Sequence, residues 1–257
     1  MGTTIKKLRR KQREAVGLDG KSYIHANRKA FYAKHGMEVE FVGHPLLDVI
    51  EPSAQAKKEK SGKPRIALLP GSRKQEIKTM LPVMLEVIRQ RGDCDFVIAG
   101  APGQSAEFYH EVTGRTDLPL VFGRTYALFG ECDAALVTSG TATLEAALHG
   151  IPLAVCYKGS AISYAIARRI VKIRFISLVN LILDREAVKE LIQYAMNVEA
   201  VGEELERLLH DPSKRNQQFA AFNELREMLG GAGASERAAE GMLKTLRTVQ
   251  RGGSSAR

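Results

Sequence analysis

The stretch Ala134 to Val155 (AALVTSGTATLEAALHGIPLAV) constrains the fold more than any other part of this chain. A short apolar run, Ala134 to Val137, meets a small polar turn; a helix-forming run carries Glu145 one turn in, Gly150 stops it, and a second apolar strand begins. Strand, helix, strand in such short compass implies parallel strands joined by a right-handed crossover. The same alternation runs along the chain. Apolar strands read near 65–69, 95–99, 119–122, 134–138 and 152–156, and helical patterns fill 75–90, 104–112, 125–130, 142–149 and 160–171. The expected fold class is therefore α/β, a Rossmann-like parallel sheet with helices on both faces. From about 186 the text reads as helix only. Val198–His210, Ser213–Leu229 and Ser235–Val249 show 3.6-residue apolar spacing, with caps at Asp211-Pro212-Ser213 and Gly230-Gly231, and are expected to pack across the sheet.

Two turns at strand ends carry the chemistry. After the strand ending at Val137, the hydroxyls of Ser139, Thr141 and Thr143 and the amides around Gly140 collect at a helix N-terminus. That end attracts anions, because its first amides lack helical partners and the helix dipole is positive there. Glu145, one turn further, is in reach of a sugar hydroxyl beside a bound phosphate. No Lys follows the glycine, so the pattern fits the nucleotide end of a nucleotide-sugar site and not a Walker loop. Upstream, Arg65 to Arg73 (RIALLPGSR) reads as a buried strand, a Pro-Gly turn and a cation, and Lys74-Gln75-Glu76-Ile77 opens a helix. Gly71 permits a tight backbone beside Ser72, and Arg73 can form two parallel bonds to a phosphate. Ligands of open α/β sheets bind outside the carboxyl ends of the strands, so the two turns can converge on one ligand.

Charge and composition set the surroundings. The chain carries +9, yet residues 1–29 hold nine Lys/Arg against Glu14 and Asp19, a net of +7, leaving +2 for the other 228. The basic character thus belongs to a segment, 1–28, expected to be poorly ordered or to lie on a membrane surface; no nucleic-acid-reading module accompanies it. Cys94, Cys132 and Cys156 are isolated thiols in or beside apolar strands, read as reduced core cysteines of a cytoplasmic protein. The six histidines show no ligand spacing, and neither a metal site nor a cofactor is expected. Residues 29–64 read as an interdomain region and linker, 65–250 as the main domain, and 251–257 as a disordered tail. Between sheet and terminal helices, Tyr164 to Glu186 is apolar but carries Arg168, Arg169, Lys172 and Arg174, either a solvated basic face or one for anionic lipid or phosphate. Within it Asn180 stands between Val179 and Leu181, and its amide requires hydrogen-bond partners that a ligand's polar edge would supply.

Five ordered motifs carry a family resemblance: Phe41 to Asp48 (FVGHPLLD), Leu69 to Arg73 (LPGSR), Ser139 to Glu145 (SGTATLE), Ala167 to Lys172 (ARRIVK) and Ile176 to Asn180 (ISLVN). They resemble lipid-A-disaccharide synthase, over nearly nine-tenths of the chain. The resemblance implies the C-terminal, nucleotide-sugar-binding domain of a two-domain GT-B glycosyltransferase, at the inner face of a membrane. It implies transfer of 2,3-diacylglucosamine from UDP-2,3-diacylglucosamine to 2,3-diacylglucosamine 1-phosphate, with inversion, release of UDP and no metal. By similarity Gly71, Ser72 and Arg73 sit on the diphosphate, Ser139, Gly140 and Thr141 on phosphate or ribose, Glu145 on the ribose hydroxyls and Asn180 near the nucleotide. The acceptor site and the catalytic base belong to the family's N-terminal domain, which is not recognisable here. The chain therefore reads as a truncated form, inactive alone, with a homodimer through the C-terminal helices as a possible assembly. Val179 stands where the family usually has Pro, and Asp184 where it usually has Gly. Competing readings are a non-catalytic UDP-sugar-binding or dimerisation module, and another GT-B enzyme such as a UDP-N-acetylglucosamine epimerase, for which Glu145 and His44 are the available acid/base groups.

Overall fold

In a computed structural model of the chain, residues 40–50, 62–160 and 174–253 are described, with side chains to 244. The basic 1–28 segment, Phe31 and Tyr32, most of the 51–64 linker, and Arg168, Arg169 and Lys172 lie outside the described residues. Two compact units are distinguished, one running from Ile50 to Leu225, the other combining the chain up to Val49 with the chain from Arg226 onward. The expected 65–250 domain thus has its compact part end at Leu225.

The larger unit is built on β1 (Arg65–Leu69), β2 (Asp95–Gly100), β3 (Leu120–Phe122), β4 (Ala134–Thr138), β5 (Leu153–Tyr157) and β6 (Lys189–Ile192). All pairings are parallel, in the order β3-β2-β1-β4-β5-β6. This is the order of a doubly wound Rossmann-type sheet, reversing direction between β1 and β4. Alternate strand residues face opposite ways: Ile66, Leu68, Ile98, Leu136, Ala154 and Leu191 join one core. That core is closed by α1 (Lys74–Arg91) and α6 (Val198–His210), with α2 (Ala106–Thr113) beside α1. On the other side, α3 (Thr125–Glu131), α4 (Thr141–Leu148) and α5 (Leu178–Leu183) pack together. Helices on both faces leave Ala67, Ala135, Val137 and Val155 as dry as their neighbours, which is why the strands read as unbroken apolar runs. Cys94, Cys132 and Cys156 are buried and in no disulfide among the described residues, as expected.

The sixth strand was not expected, since Lys189-Glu190-Leu191-Ile192 falls in text read as helical. An edge strand needs few apolar residues, and here Leu191 alone is buried while charged neighbours line the edge. The helix α7 (Pro212–Met228) ties into the sheet through Gln218, wholly buried, which accepts from Leu153 N at 2.9 Å and donates to Leu153 O at 3.0 Å. The start of β5 is thereby satisfied by a side chain in place of a strand partner.

In the smaller unit, the Phe41 to Asp48 text anchors the last helix, α8 (Ala234–Gly253), which continues past the 250/251 boundary set from sequence. The Asp48 carboxylate accepts from Gly233 N at 2.6 Å, Ala234 N at 3.0 Å and Ser235 N at 2.8 Å, an N-cap supplied from far along the chain. Gly43 has φ 96°, and a Cβ there would lie 2.8 Å from the Arg237 guanidinium, which in turn donates to Val42 O. His44 caps the 3₁₀ helix Pro45–Asp48, its Nδ1 accepting from Leu46 N.

Two outcomes follow from these contacts. Gln218→Ala should lower folding stability by on the order of 3 kcal/mol, because two buried backbone groups lose their partners; denaturant midpoints at unchanged slope would show it. The Ser235 hydroxyl and the three amides hold the Asp48 pKa down at about 2, from 3.8. A carboxylate depressed on folding stabilises above its unfolded pKa and loses that contribution as pH falls through the folded one. Helix content at α8 should therefore weaken between about pH 4 and pH 2, and Asp48→Asn should flatten that dependence in circular dichroism titrations.

Candidate functional site

The reversal between β1 and β4 brings the two predicted turns side by side. Leu69 pairs with Val137 in register, so Gly71 to Arg73 and Ser139 to Thr141 leave adjacent strands at the same level. Both lie in the larger unit, at the carboxyl edge where a doubly wound sheet opens a crevice.

At the β1 turn, Gly71 takes φ 113°, and a Cβ would sit 2.7 Å from Glu76 Oε2. The glycine is required for this approach. Glu76 Oε2 accepts from Ser72 N at 3.1 Å and Arg73 N at 3.2 Å, while Arg73 Nη1 reaches Glu76 Oε1 at 2.6 Å. A carboxylate thus rests on the amides that begin α1, in the manner of a capping box. Arg73 itself is well exposed, its side chain at 76%. Behind the turn, Gln104 donates to Ser72 O at 3.4 Å, and its buried Oε1 has no hydrogen-bond partner among the described residues.

At the β4 turn the three hydroxyls divide their tasks. Ser139 Oγ donates to Ile176 O at 3.0 Å, and Thr143 Oγ1 turns back on Gly140 O at 2.8 Å. Gly140, the N-cap of α4, has no side chain with which to cap the helix. Thr141 opens α4, half-buried. Thr141, Glu145 and His149 follow at four-residue spacing and share one face of α4. The Tyr126 ring lies 4.6 Å from that of His149. Burial, and then the Glu145 carboxylate that its hydroxyl meets, push the Tyr126 pKa up. Tyr126 thus stands beside Glu145, and carried no signal in the sequence. Thr138 Oγ1, at the end of β4, is buried and has no hydrogen-bond partner among the described residues.

Asn180 departs from the sequence reasoning. It is wholly buried, and the protein supplies every partner: Nδ2 donates to Val188 O at 2.8 Å and Glu190 Oε1 at 2.9 Å, and Oδ1 accepts from Ala187 N at 2.8 Å and Val188 N at 2.9 Å. No ligand edge is needed to satisfy it. Glu190, on the unforeseen β6, also accepts from Ile176 N and Ser177 N, each at 2.9 Å. The chain of contacts therefore runs from Ser139 through Ile176 and Glu190 to Asn180, making Asn180 a support for the wall beside Ser139. His44, the other acid/base group considered, has its pKa lowered by burial and serves as a cap.

Comparison with known proteins follows this geometry. The family model described as lipid-A-disaccharide synthetase matches residues 24–242. The lipid-A-disaccharide synthase of Anaeromyxobacter dehalogenans is 41% identical over 229 residues, covering 84% of this chain and 60% of that protein. That of Syntrophus aciditrophicus is 37% identical over 235 residues, covering 86% and 61%. This chain belongs to the lipid-A-disaccharide synthase family, and spans about 60% of the length of these relatives. Among solved structures, it is similar to the glycosyltransferase SnogD of Streptomyces nogalater (19% identity, TM-score 0.47, 84% of this chain and 60% of that one). It is also similar to WaaG, a glycosyltransferase involved in lipopolysaccharide biosynthesis (14% identity, TM-score 0.46, 84% and 51%).

If Asn180 supports and does not touch ligand, Asn180→Ala should cost on the order of 3 kcal/mol in folding stability. A parental denaturant midpoint combined with weakened nucleotide binding would place the side chain on the ligand instead.

Proposed function

We propose that this chain is the nucleotide-sugar-binding part of an inverting glycosyltransferase that transfers 2,3-diacylglucosamine from UDP-2,3-diacylglucosamine to 2,3-diacylglucosamine 1-phosphate in lipid A biosynthesis. One observation carries the reading: an exposed guanidinium on a glycine turn and a helix N-terminus with a carboxylate one turn in leave adjacent strands, level with each other, at the sheet's switch point. Arg73 and the amides of Gly71 to Arg73 take the diphosphate, the Ser139 to Thr141 turn takes phosphate or ribose, and Glu145, held by Tyr126, accepts from the ribose hydroxyls. A leaving UDP gathers negative charge, and a preorganised Arg and helix dipole stabilise it as the glycosidic bond breaks. Inversion needs one base to take the acceptor hydroxyl's proton, and this reading assigns that base and the acceptor pocket to the part of the family's length that the chain does not span.

The acylated substrates put the reaction at a membrane surface, at the cytoplasmic face of the inner membrane. Among the described residues no helix is long and apolar enough to cross a membrane, so binding there would be peripheral. Pairing of two copies is proposed through α8, on which Met242 and Leu243 stand exposed.

The 257-residue chain should bind UDP by calorimetry and show negligible disaccharide synthesis with radiolabelled donor. Arg73→Ala should weaken UDP binding about tenfold to a hundredfold, the worth of a bond to a charged group, and Arg73→Lys should recover part of it. Glu145→Ala should weaken it by a smaller factor. Parental affinity in both alanine variants would rule out the two turns as the nucleotide site, and turnover by the chain alone would show that the base lies within it.

A further inference from the structure

One residue outside these turns has the marks of a ligand contact. Gln193 follows directly on β6, at the same carboxyl edge of the sheet as the two turns. Its backbone takes φ 54°, a left-handed conformation that is strained for a non-glycine residue of this kind. The turn is held there from both sides: Met196 N donates to Gln193 O at 3.1 Å, and Asn197, which caps α6, donates through Nδ2 to Tyr194 O at 2.8 Å. The side chain is only 7% exposed. Its Oε1 accepts from Gly159 N at 3.3 Å, just past the end of β5, while its buried Nε2 has no hydrogen-bond partner among the described residues. A buried amide donor left open is costly, and strain together with an open donor at a strand's carboxyl end is the signature of a group reserved for a ligand.

We propose that Gln193 is a ligand-binding residue whose Nε2 donates a hydrogen bond to an acceptor oxygen of the nucleotide sugar outside its diphosphate. The proposal rests on the UDP-sugar reading above. Gln193 stands two strands from β4, roughly 10 Å along the sheet edge at about 4.8 Å per strand. That offset lies beyond the diphosphate held by Arg73 and α4, so the acceptor is a carbonyl of the base or an oxygen of the sugar. Both offer the same chemistry to an amide donor.

The test compares the whole chain with Gln193→Glu and Gln193→Asn by calorimetry, using UDP and UDP-N-acetylglucosamine as probes, with thermal melts as the folding control. Glu keeps an oxygen for Gly159 N and replaces only the donor; Asn tolerates the left-handed backbone but is too short to reach. Both should fold, and both should weaken binding about threefold to tenfold, the range of one neutral hydrogen bond, with Glu at the upper end or beyond. Equal loss for both probes places the oxygen on the nucleotide; loss for the sugar-bearing probe alone places it on the sugar. Parental affinities for both probes in a folded Gln193→Glu chain would overturn the proposal and leave the UDP-site reading standing. Failure of the parent chain to bind either probe would overturn both.

Discussion

The reversal of strand order between β1 and β4 is the constraint on which the rest of the site depends. Right-handed crossovers send α1 and α2 to one face and α4 to the other, so none of these connections bridges the carboxyl ends of those two strands. The ends are nonetheless adjacent, because Ile66 to Leu69 pair residue for residue with Ala134 to Val137. That register is strongly specified. A slip of β4 by one residue against β1 would turn Ala134 and Leu136 from the α1 side to the other, and would move the β4 turn one residue along from the β1 turn. Core packing and site geometry are therefore one constraint: the apolar contacts that fix the pairing also bring Arg73 and Ser139 to a common level.

Electrostatics at the two turns are unequal. On α1 the first amides already hold a carboxylate, Glu76, which also pairs with Arg73. A phosphate arriving there meets a turn whose geometry suits an anion but whose amides are engaged, and it gains chiefly through the planar, five-donor guanidinium of Arg73. On α4 the N-cap is Gly140, which has no side chain to offer the first amides. In the proposed site the α4 start would therefore be the stronger backbone position for an anion, with Arg73 as the cation beside it. This division assigns charge neutralisation to a side chain and directional bonding to a helix terminus.

Sequence and structure agree where a local rule decides the outcome. Five strands, the helices between them, both turns and the buried thiols follow from periodicity, glycine placement and apolar runs. The sixth strand escaped because an edge strand buries one residue, Leu191, and its alternation is too short to stand out from a helical period. Glu190 escaped with it, since a carboxylate in that text reads as solvated until the strand turns it inward onto Ile176, Ser177 and Asn180. Asn180 is an amide needing partners, as its text implies, but the partners are backbone groups seven and eight residues away and the Glu190 side chain on that sixth strand. Tyr126 acts on Glu145 only through tertiary packing. What was illegible was long-range supply of hydrogen bonds.

The five motifs of the family resemblance can now be separated by what their residues touch. Leu69 to Arg73 and Ser139 to Glu145 stand at the adjacent ends of β1 and β4, Ile176 to Asn180 braces the wall beside Ser139, Phe41 to Asp48 caps α8, and Ala167 to Lys172 lies outside the described residues. The two departures from the family's text sit comfortably in this scheme. Asp184 is the C-cap of α5 with φ 50°, a left-handed position where Gly is favoured and Asp is among the better tolerated replacements. Val179 lies in the first turn of α5, after the Ser177 cap, where an N–H has no helical partner and Pro would serve equally. Val179 is wholly buried, so what that position demands is an apolar side chain in the first turn, which both residues provide. The geometry that places Asn180 is therefore preserved by the same backbone rules that the substitutions would otherwise have broken.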